Sequence, residues 1–246
     1  MLVLRRKAFL LAGPTASGKS AIAATLAREI GAAILSADSM LVYKGMDLGT
    51  AKPSPAERAE FDMGGVDVVT PAEEFSSGAW LRAAAKWAAT IPESRPIVIV
   101  GGTGLYFSAL LRGLDRRWTK PPPEYPVLKV DRDVLRRRIA ARLDELFAAG
   151  LEREKARLHS QYPKWSRTAS LAIGYREGDL REKIFVRTCQ LAKRQDTWFR
   201  HQSTPLYCDP TADSVRSCWR ERGPWNVVFS LADEGISERH GKEADK

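Results

Sequence analysis

"LLAGPTASGKSAIAATLAREIG", residues 10–31, passes from an apolar strand through a glycine-bracketed loop into a helix. Within it, "GPTASGKS", Gly13 to Ser20, matches the pattern G-x-x-x-x-G-K-[ST]. The flanks are those the pattern needs. Ala8 to Ala12 forms a short apolar strand, and Lys19 to Ile30 carries Ile22, Leu26 and Ile30 at helical spacing. Glycines in such a loop let backbone N–H groups turn inward on phosphate oxygens, so Gly13, Pro14, Thr15, Ala16, Ser17 and Gly18 read as a cradle for an anion. Lys19 adds a point charge, the Ser20 hydroxyl suits a magnesium ion, and the helix N-terminus adds its partial positive charge.

Working outward, Ala33 to Ser36 reads as a second buried strand that ends at Ala37-Asp38-Ser39. Ser77 starts a helix through Trp80, Leu81, Ala84 and Trp87, and "PIVIVGGTG" supplies a strand at Ile97 to Val100. Uninterrupted apolar runs alternating with helices predict an α/β fold, a P-loop NTPase-like parallel sheet covered by helices on both faces. Ligands on such sheets bind beyond the carboxyl ends of the strands, so Gly13–Ser20, Asp38 and Thr103 should converge on one crevice. Gly113 to Pro126, "GLDRRWTKPPPEYP", has no helical or strand period and reads as a connector. After it, "VLKV" predicts a strand, and Arg132 to Ala148 a strongly basic helix capped at Gly150. A second long helix is expected from Asp179 to Gln202, carrying Lys183, Arg187, Lys193, Arg194 and Arg200. One domain is expected over residues 1–232. Residues 233–246 are charged and lack apolar anchors, so they are expected to be a disordered tail.

Composition narrows the classes. The chain has 246 residues, 44% of them hydrophobic, which is enough for one α/β core. Its 39 Lys and Arg against 30 Asp and Glu leave a formal charge of +9, which draws the molecule toward polyanions such as nucleic acid, although a solvated basic surface reads the same way. The three cysteines, Cys189, Cys208 and Cys218, form no C-x-x-C pair, which argues against a disulfide framework or zinc site and for a reducing compartment. Nothing approaches a membrane span, and the apolar run after Arg5, Arg6 and Lys7 breaks at Gly13, too early for a signal peptide. A soluble, cytoplasmic protein is expected.

A nucleotide-hydrolysing site would need a second carboxylate at the end of a buried strand to hold magnesium. Here the strand at Ile97 ends in Gly101-Gly102-Thr103 instead. The carboxylate that does follow a strand is Asp38, and an Asp-Ser in that place is more often an Asx-turn or helix cap than a catalytic base. Thr103 reads in isolation as a helix N-cap, and Trp198, on a long helix, as core. Arg138 and Arg142 lie four residues apart on one helix face.

Five segments in order resemble the tRNA dimethylallyltransferase (IPP transferase) family: "GPTASGKS", "DSMLVYKGMDLGTAKP", "VGGTGLYFSALLRGL", "AIGYRE" and "LAKRQDTWFR". The resemblance covers most of residues 8–113 and 126–202. It implies that the loop holds the diphosphate of dimethylallyl diphosphate, that Mg²⁺ is the cofactor with Ser20 its ligand, and that tRNA is the acceptor, through its anticodon stem-loop. Asp38 is implied as the general base, Thr103 as a contact at the reacting centre, and Arg142 as a partner of the diphosphate. Implied tRNA contacts are Asp38, Ser39, Met40, Leu41 and Thr103, then Gly174, Tyr175 and Arg176, then Lys193, Arg194, Gln195 and Arg200. A monomer is expected.

The chain departs from the family pattern in two places. Family members carry a helical insertion after the "GLYFSALLRGL" segment that embraces the anticodon stem, where this chain has only the proline-rich connector. The family's Asn-Asp-Pro-Gln-Arg segment has no copy here. Phosphate contacts supply much of nucleic-acid affinity, so tRNA binding should be weakened. Three readings stay open: a trimmed tRNA prenyltransferase, a prenyltransferase acting on free adenine nucleotide, and a P-loop kinase or inactive phosphate-binding remnant.

Overall fold

The structure, a computed structural model, describes residues 2–114, 123–176 and 180–231. Most of the connector, the expected helix start at Asp179 and the expected tail at 233–246 lie outside the described residues. The elements run β1 (Leu2–Ala12), α1 (Lys19–Ile30), β2 (Ala33–Ser36), α2 (Pro55–Glu60), α3 (Ser77–Ala88), β3 (Ile97–Gly101), α4 (Gly104–Arg112) and β4 (Glu124–Leu128). They continue with α5 (Arg132–Ala148), α6 (Leu151–Gln161), α7 (Arg181–Gln202), β5 (Thr204–Cys208), α8 (Ala212–Arg222) and β6 (Trp225–Leu231).

Five strands are parallel, in the order β2-β3-β1-β4-β5. β1 lies beside β3 from Ala8↔Ile97 to Ala12↔Gly101 and meets β4 at Ala12↔Val127. The sheet also carries β6, which the sequence reading lacks, antiparallel to β1 from Leu2↔Leu231 to Ala8↔Trp225. Ala8 pairs with both Ile97 and Trp225, so β6 takes the edge of β1 that β4 takes further along.

Burial explains the apolar runs. Leu10, Ile97 and Ile99 face Trp80, Phe107 and Phe199 on one side, while Leu11, Val98 and Val100 face Ile22, Leu26 and Trp219 on the other. Strands covered on both faces have no polar side to show. A third, smaller core of Leu135, Ile139 and Leu143 from α5, Leu151 from α6, and Ile184 and Ala192 from α7 packs the basic helices against one another. Many of their arginines and lysines, such as Arg136, Arg137, Lys183 and Lys193, are exposed on the outward side of this helical layer.

Three boundaries differ from the sequence reading. β1 begins six residues before Ala8 because Leu2–Lys7 pair with β6, and Arg6, only 8% exposed within that stretch, donates from Nη2 to the carbonyls of Ala88 (2.9 Å) and Ile91 (2.7 Å). β4 begins at Glu124, inside the proline-rich stretch, and includes Pro126. It pairs with β5 along its length, from Glu124↔Thr204 to Leu128↔Cys208, but meets β1 at a single pair, so most of its β1 side carries no ladder for Pro126 to interrupt. Gly150, at φ +97°, does close α5, and it also opens α6, a helix the sequence reading missed.

Candidate active site

The phosphate loop leaves β1 and turns with Ala16 at φ +61° and Gly18 at φ +91°, the latter a conformation that costs a glycine little. Lys19 Nζ lies 3.2 Å from the Pro14 carbonyl oxygen. Burial holds its ammonium below the ordinary lysine value, with Asp38 opposing that shift and Arg142 adding to it. Ser20 is exposed in the first turn of α1. From α5, Arg138 Nη1 donates to the carbonyls of Ala16 (3.3 Å) and Ser17 (3.2 Å), pinning the loop from outside the sheet.

Asp38 stands just past β2. Its Oδ1 accepts the Met40 N–H at 2.9 Å, so the Asx-turn suggested by the sequence is present. Asp38 lies close enough to the cationic Lys19 and Arg142, and to the Tyr106 phenol, for its charge to act on all three. The Tyr106 phenol is pushed up, first by burial and then by that carboxylate. Thr103 occupies the N-cap position of α4, yet its side chain does not cap the helix. Its Oγ1 accepts the Ser39 N–H at 2.9 Å and lies 3.2 Å from Ser39 Oγ, while its own N–H donates to Ala37 O at 3.1 Å. These bonds tie the ends of β2 and β3 together across the crevice. Arg142 is driven below its ordinary value, chiefly by burial, against the pull of Asp38.

Between these groups runs a cavity of about 410 Å³. Its lining combines polar groups, Thr15, Asp38, Thr103 and Arg142, with the apolar Leu143, Leu146, Leu151, Ile173, Ile184 and Leu191 from α5, the α6 start, the segment before α7, and α7; of the phosphate loop, Thr15 contributes. A pocket that sets a carboxylate and an arginine beside an apolar lining suits a ligand with a charged head and a hydrocarbon tail.

Of the residues expected to meet tRNA, Ser39, Met40, Gly174, Arg194 and Gln195 line this cavity with Asp38 and Thr103. Leu41, Lys193 and Arg200 lie outside its lining; Lys193 and Arg200 are exposed on α7, and Arg200 sits 3.7 Å from Asp196. Arg176 is exposed next to the undescribed residues 177–179. Tyr175 is a correction. It is 2% exposed, its hydroxyl donates to Glu154 Oε1 at 2.5 Å and accepts the Gly49 N–H at 3.1 Å, so it is out of reach of a nucleotide. Glu154 also accepts the N–H groups of Asp47 and Leu48. With Lys52, bound to Asp47 (2.8 Å), Asp67 (2.6 Å) and Tyr43 O (2.7 Å), it fixes the long loop that follows Asp38. Tyr175→Phe removes both hydrogen bonds, one of them to a carboxylate, and is therefore expected to lower stability by about 2–3 kcal/mol and to leave the KM for tRNA unchanged. Thermal melts beside steady-state kinetics check it.

Trp198 packs against the main core, as the sequence suggests, and also lines the cavity. A Cβ on Gly104 would lie 1.9 Å from its Cδ1, so the last glycine of "GGTG" is there to admit that ring. Glu154 and the apolar lining of α5 to α7 were missed, since nothing local in sequence brings those segments together. Among the described residues no group of three or more His, Cys, Asp or Glu could hold a metal, and no helix is long and apolar enough to cross a membrane.

Fold and pocket together define a P-loop α/β core with a largely apolar pocket at the carboxyl ends of its strands. The chain belongs to the IPP transferase family, whose model matches residues 41–127 and 116–202; a second model, isopentenyl transferase, matches residues 6–62. A tRNA dimethylallyltransferase of Bdellovibrio bacteriovorus is 30% identical over 290 residues, covering 83% of this chain and 94% of the relative. That aligned length exceeds the 246 residues of this chain, so the relative carries residues with no counterpart here. The two family matches meet at 116–127, in the connector. A tRNA dimethylallyltransferase of Phenylobacterium zucineum is 52% identical over 107 residues, 43% of this chain and 35% of the relative. Among solved structures, the full-length tRNA isopentenylpyrophosphate transferase of Bacillus halodurans superposes with a TM-score of 0.74 at 22% identity, covering 88% of this chain and 95% of that one, which shows the shared fold.

Proposed function

We propose that the protein transfers the dimethylallyl group of dimethylallyl diphosphate to the exocyclic amine of the adenosine 3′ to the tRNA anticodon, as a cytoplasmic monomer. The observation that carries this reading is one cavity whose lining joins Thr15 of the phosphate loop, Asp38 and Arg142 to apolar side chains of α5 to α7. The amine nitrogen attacks C1 of the allyl chain, the C–O bond to the diphosphate breaks, and pyrophosphate leaves with the bonding pair. Asp38 takes the proton that the amine sheds. The loop amides, Lys19 and Arg142 hold the growing charge on the leaving group, and a charge-stabilising cradle of this kind acts most strongly in a pocket closed to water. Ser20, with an exposed hydroxyl beside Lys19, fits a magnesium ion that keeps most of its ligands as water and diphosphate oxygens. Such an ion, when bound, supplies further neutralisation of the pyrophosphate. Thr103 and Ser39, hydrogen-bonded to each other, form the acceptor side of the crevice. Lys193, Arg194 and Arg200 offer charge to the RNA backbone.

A second acceptor, free adenine nucleotide, is favoured by one observation: the relatives have residues that this chain lacks, and the family matches break at the connector. Incubation with dimethylallyl diphosphate, Mg²⁺ and either unmodified tRNA or AMP, followed by mass spectrometry, tests both. Expected is a mass gain of one dimethylallyl group on the tRNA fragment holding the adenosine beside the anticodon. Product on AMP alone would move the reading to the smaller acceptor, and ATP turnover without prenyl transfer would refute both.

A further inference from the structure

The resemblance places Gln195 among the tRNA contacts, but its side chain is already spoken for on both ends. Its Oε1 accepts the Thr15 N–H at 2.7 Å and its Nε2 donates to Gly102 O at 3.0 Å. Pro14 has no N–H, so Thr15 offers the first amide after Gly13 in the phosphate loop. Gly102 belongs to the turn that carries Thr103, which is itself bonded to Ser39 beside Asp38. One carboxamide thus spans the two loops that hold the donor and the acceptor. The closeness is built in, since a Cβ on Gly102 would lie 2.3 Å from Gln195 Nε2. The helix supports the bridge as well: Leu191, Gln195 and Trp198 share one face of α7 at positions i, i+4 and i+7, and all three line the cavity.

We infer that Gln195 is a positioning residue for prenyl transfer, setting the separation between the phosphate loop and the Thr103 turn and so aligning the leaving group with the incoming amine and Asp38. It acts through Thr15 and Gly102, not by touching RNA. Because a misalignment of about 1 Å can cost roughly 100-fold in rate, a bridge between the two loops should appear in kcat.

The inference rests on the proposed transfer reaction, and its test separates the two. Gln195→Met keeps length and removes both hydrogen bonds. Expected are a fall in kcat of about tenfold or more, a pyrophosphate dissociation constant by calorimetry within threefold of wild type, an unchanged KM for tRNA, and faster hydrogen exchange at the Thr15 amide. Gln195→Glu keeps the acceptor for Thr15 but loses the donor to Gly102, so Thr15 should stay protected while kcat still falls; it serves if the Met variant does not fold. An unchanged kcat, or a loss confined to the KM for tRNA, would overturn the inference and return Gln195 to a plain RNA contact. Wild-type protein that binds pyrophosphate and shows the protected Thr15 amide, yet prenylates no acceptor, would instead count against the transfer reaction.

Discussion

Asp38→Asn should abolish nearly all prenyl transfer while leaving the site standing. Removal of a general base from such a reaction lowers turnover by about 100- to 10,000-fold. The substitution isolates that role unusually well here, because the structural duty of Asp38 is a single bond: Oδ1 accepts the Met40 N–H. An asparagine Oδ1 accepts the same proton, so the turn after β2 should persist, and with it the Ser39–Thr103 bonds across the crevice. What disappears is the negative charge facing Lys19 and Arg142. Without that charge the two cations are less well balanced when the site is empty, so pyrophosphate should bind at least as tightly as in wild type. The expected pattern is a collapsed kcat with retained or strengthened pyrophosphate affinity. Turnover within threefold of wild type would show that water or another group takes the proton.

Most of the donor half of the site was legible from residue order because it is local. The strand, loop and helix of residues 8–30 fall within one stretch of chain, and glycine spacing, apolar run and helical period agree there. Each predicts the same turn, and α1 and β2 lie where the sequence puts them. Asp38 and Thr103 were legible as crevice residues for a topological reason, since both follow parallel strands at the same edge of the sheet.

The roof of the pocket was hidden for the opposite reason. The apolar chamber gathers Leu143 and Leu146 from α5, Leu151 at the start of α6 and Ile184 and Leu191 from α7, residues that on their own helices look like the ordinary buried side of a basic amphipathic segment. Tyr175 shows how a segment match can mislead. "AIGYRE" lies at the cavity, but within it Gly174 lines the pocket while Tyr175 turns into Glu154 and the loop after Asp38. A motif marks a stretch of chain, and only packing decides which of its side chains face the ligand.

Lys19→Met tests the other pole of the same arrangement, and it should act on binding where Asp38→Asn acts on rate. The substitution keeps approximately the length of the side chain and removes the ammonium beside the phosphate loop. A hydrogen bond to a charged group contributes about 1.5–3 kcal/mol, so affinity for dimethylallyl diphosphate or pyrophosphate should fall by about 10- to 150-fold, read by calorimetry. Proton linkage supplies a second readout. Burial, with Arg142 adding to it, depresses the Lys19 pKa in the free protein. The ammonium therefore loses its charge at a lower pH than an ordinary lysine does, and donor affinity should begin to fall as pH rises through that lowered value. A bound diphosphate favours the charged form, so above that pH binding must take up a proton, and the measured heat should depend on the ionisation enthalpy of the buffer. The methionine variant should lose both the alkaline fall in affinity attributable to this group and the matching proton uptake. If affinity in Lys19→Met stays within twofold of wild type, the loop amides and Arg142 hold the anion by themselves, and the cradle beside Gly18 is not where the donor's charge is read.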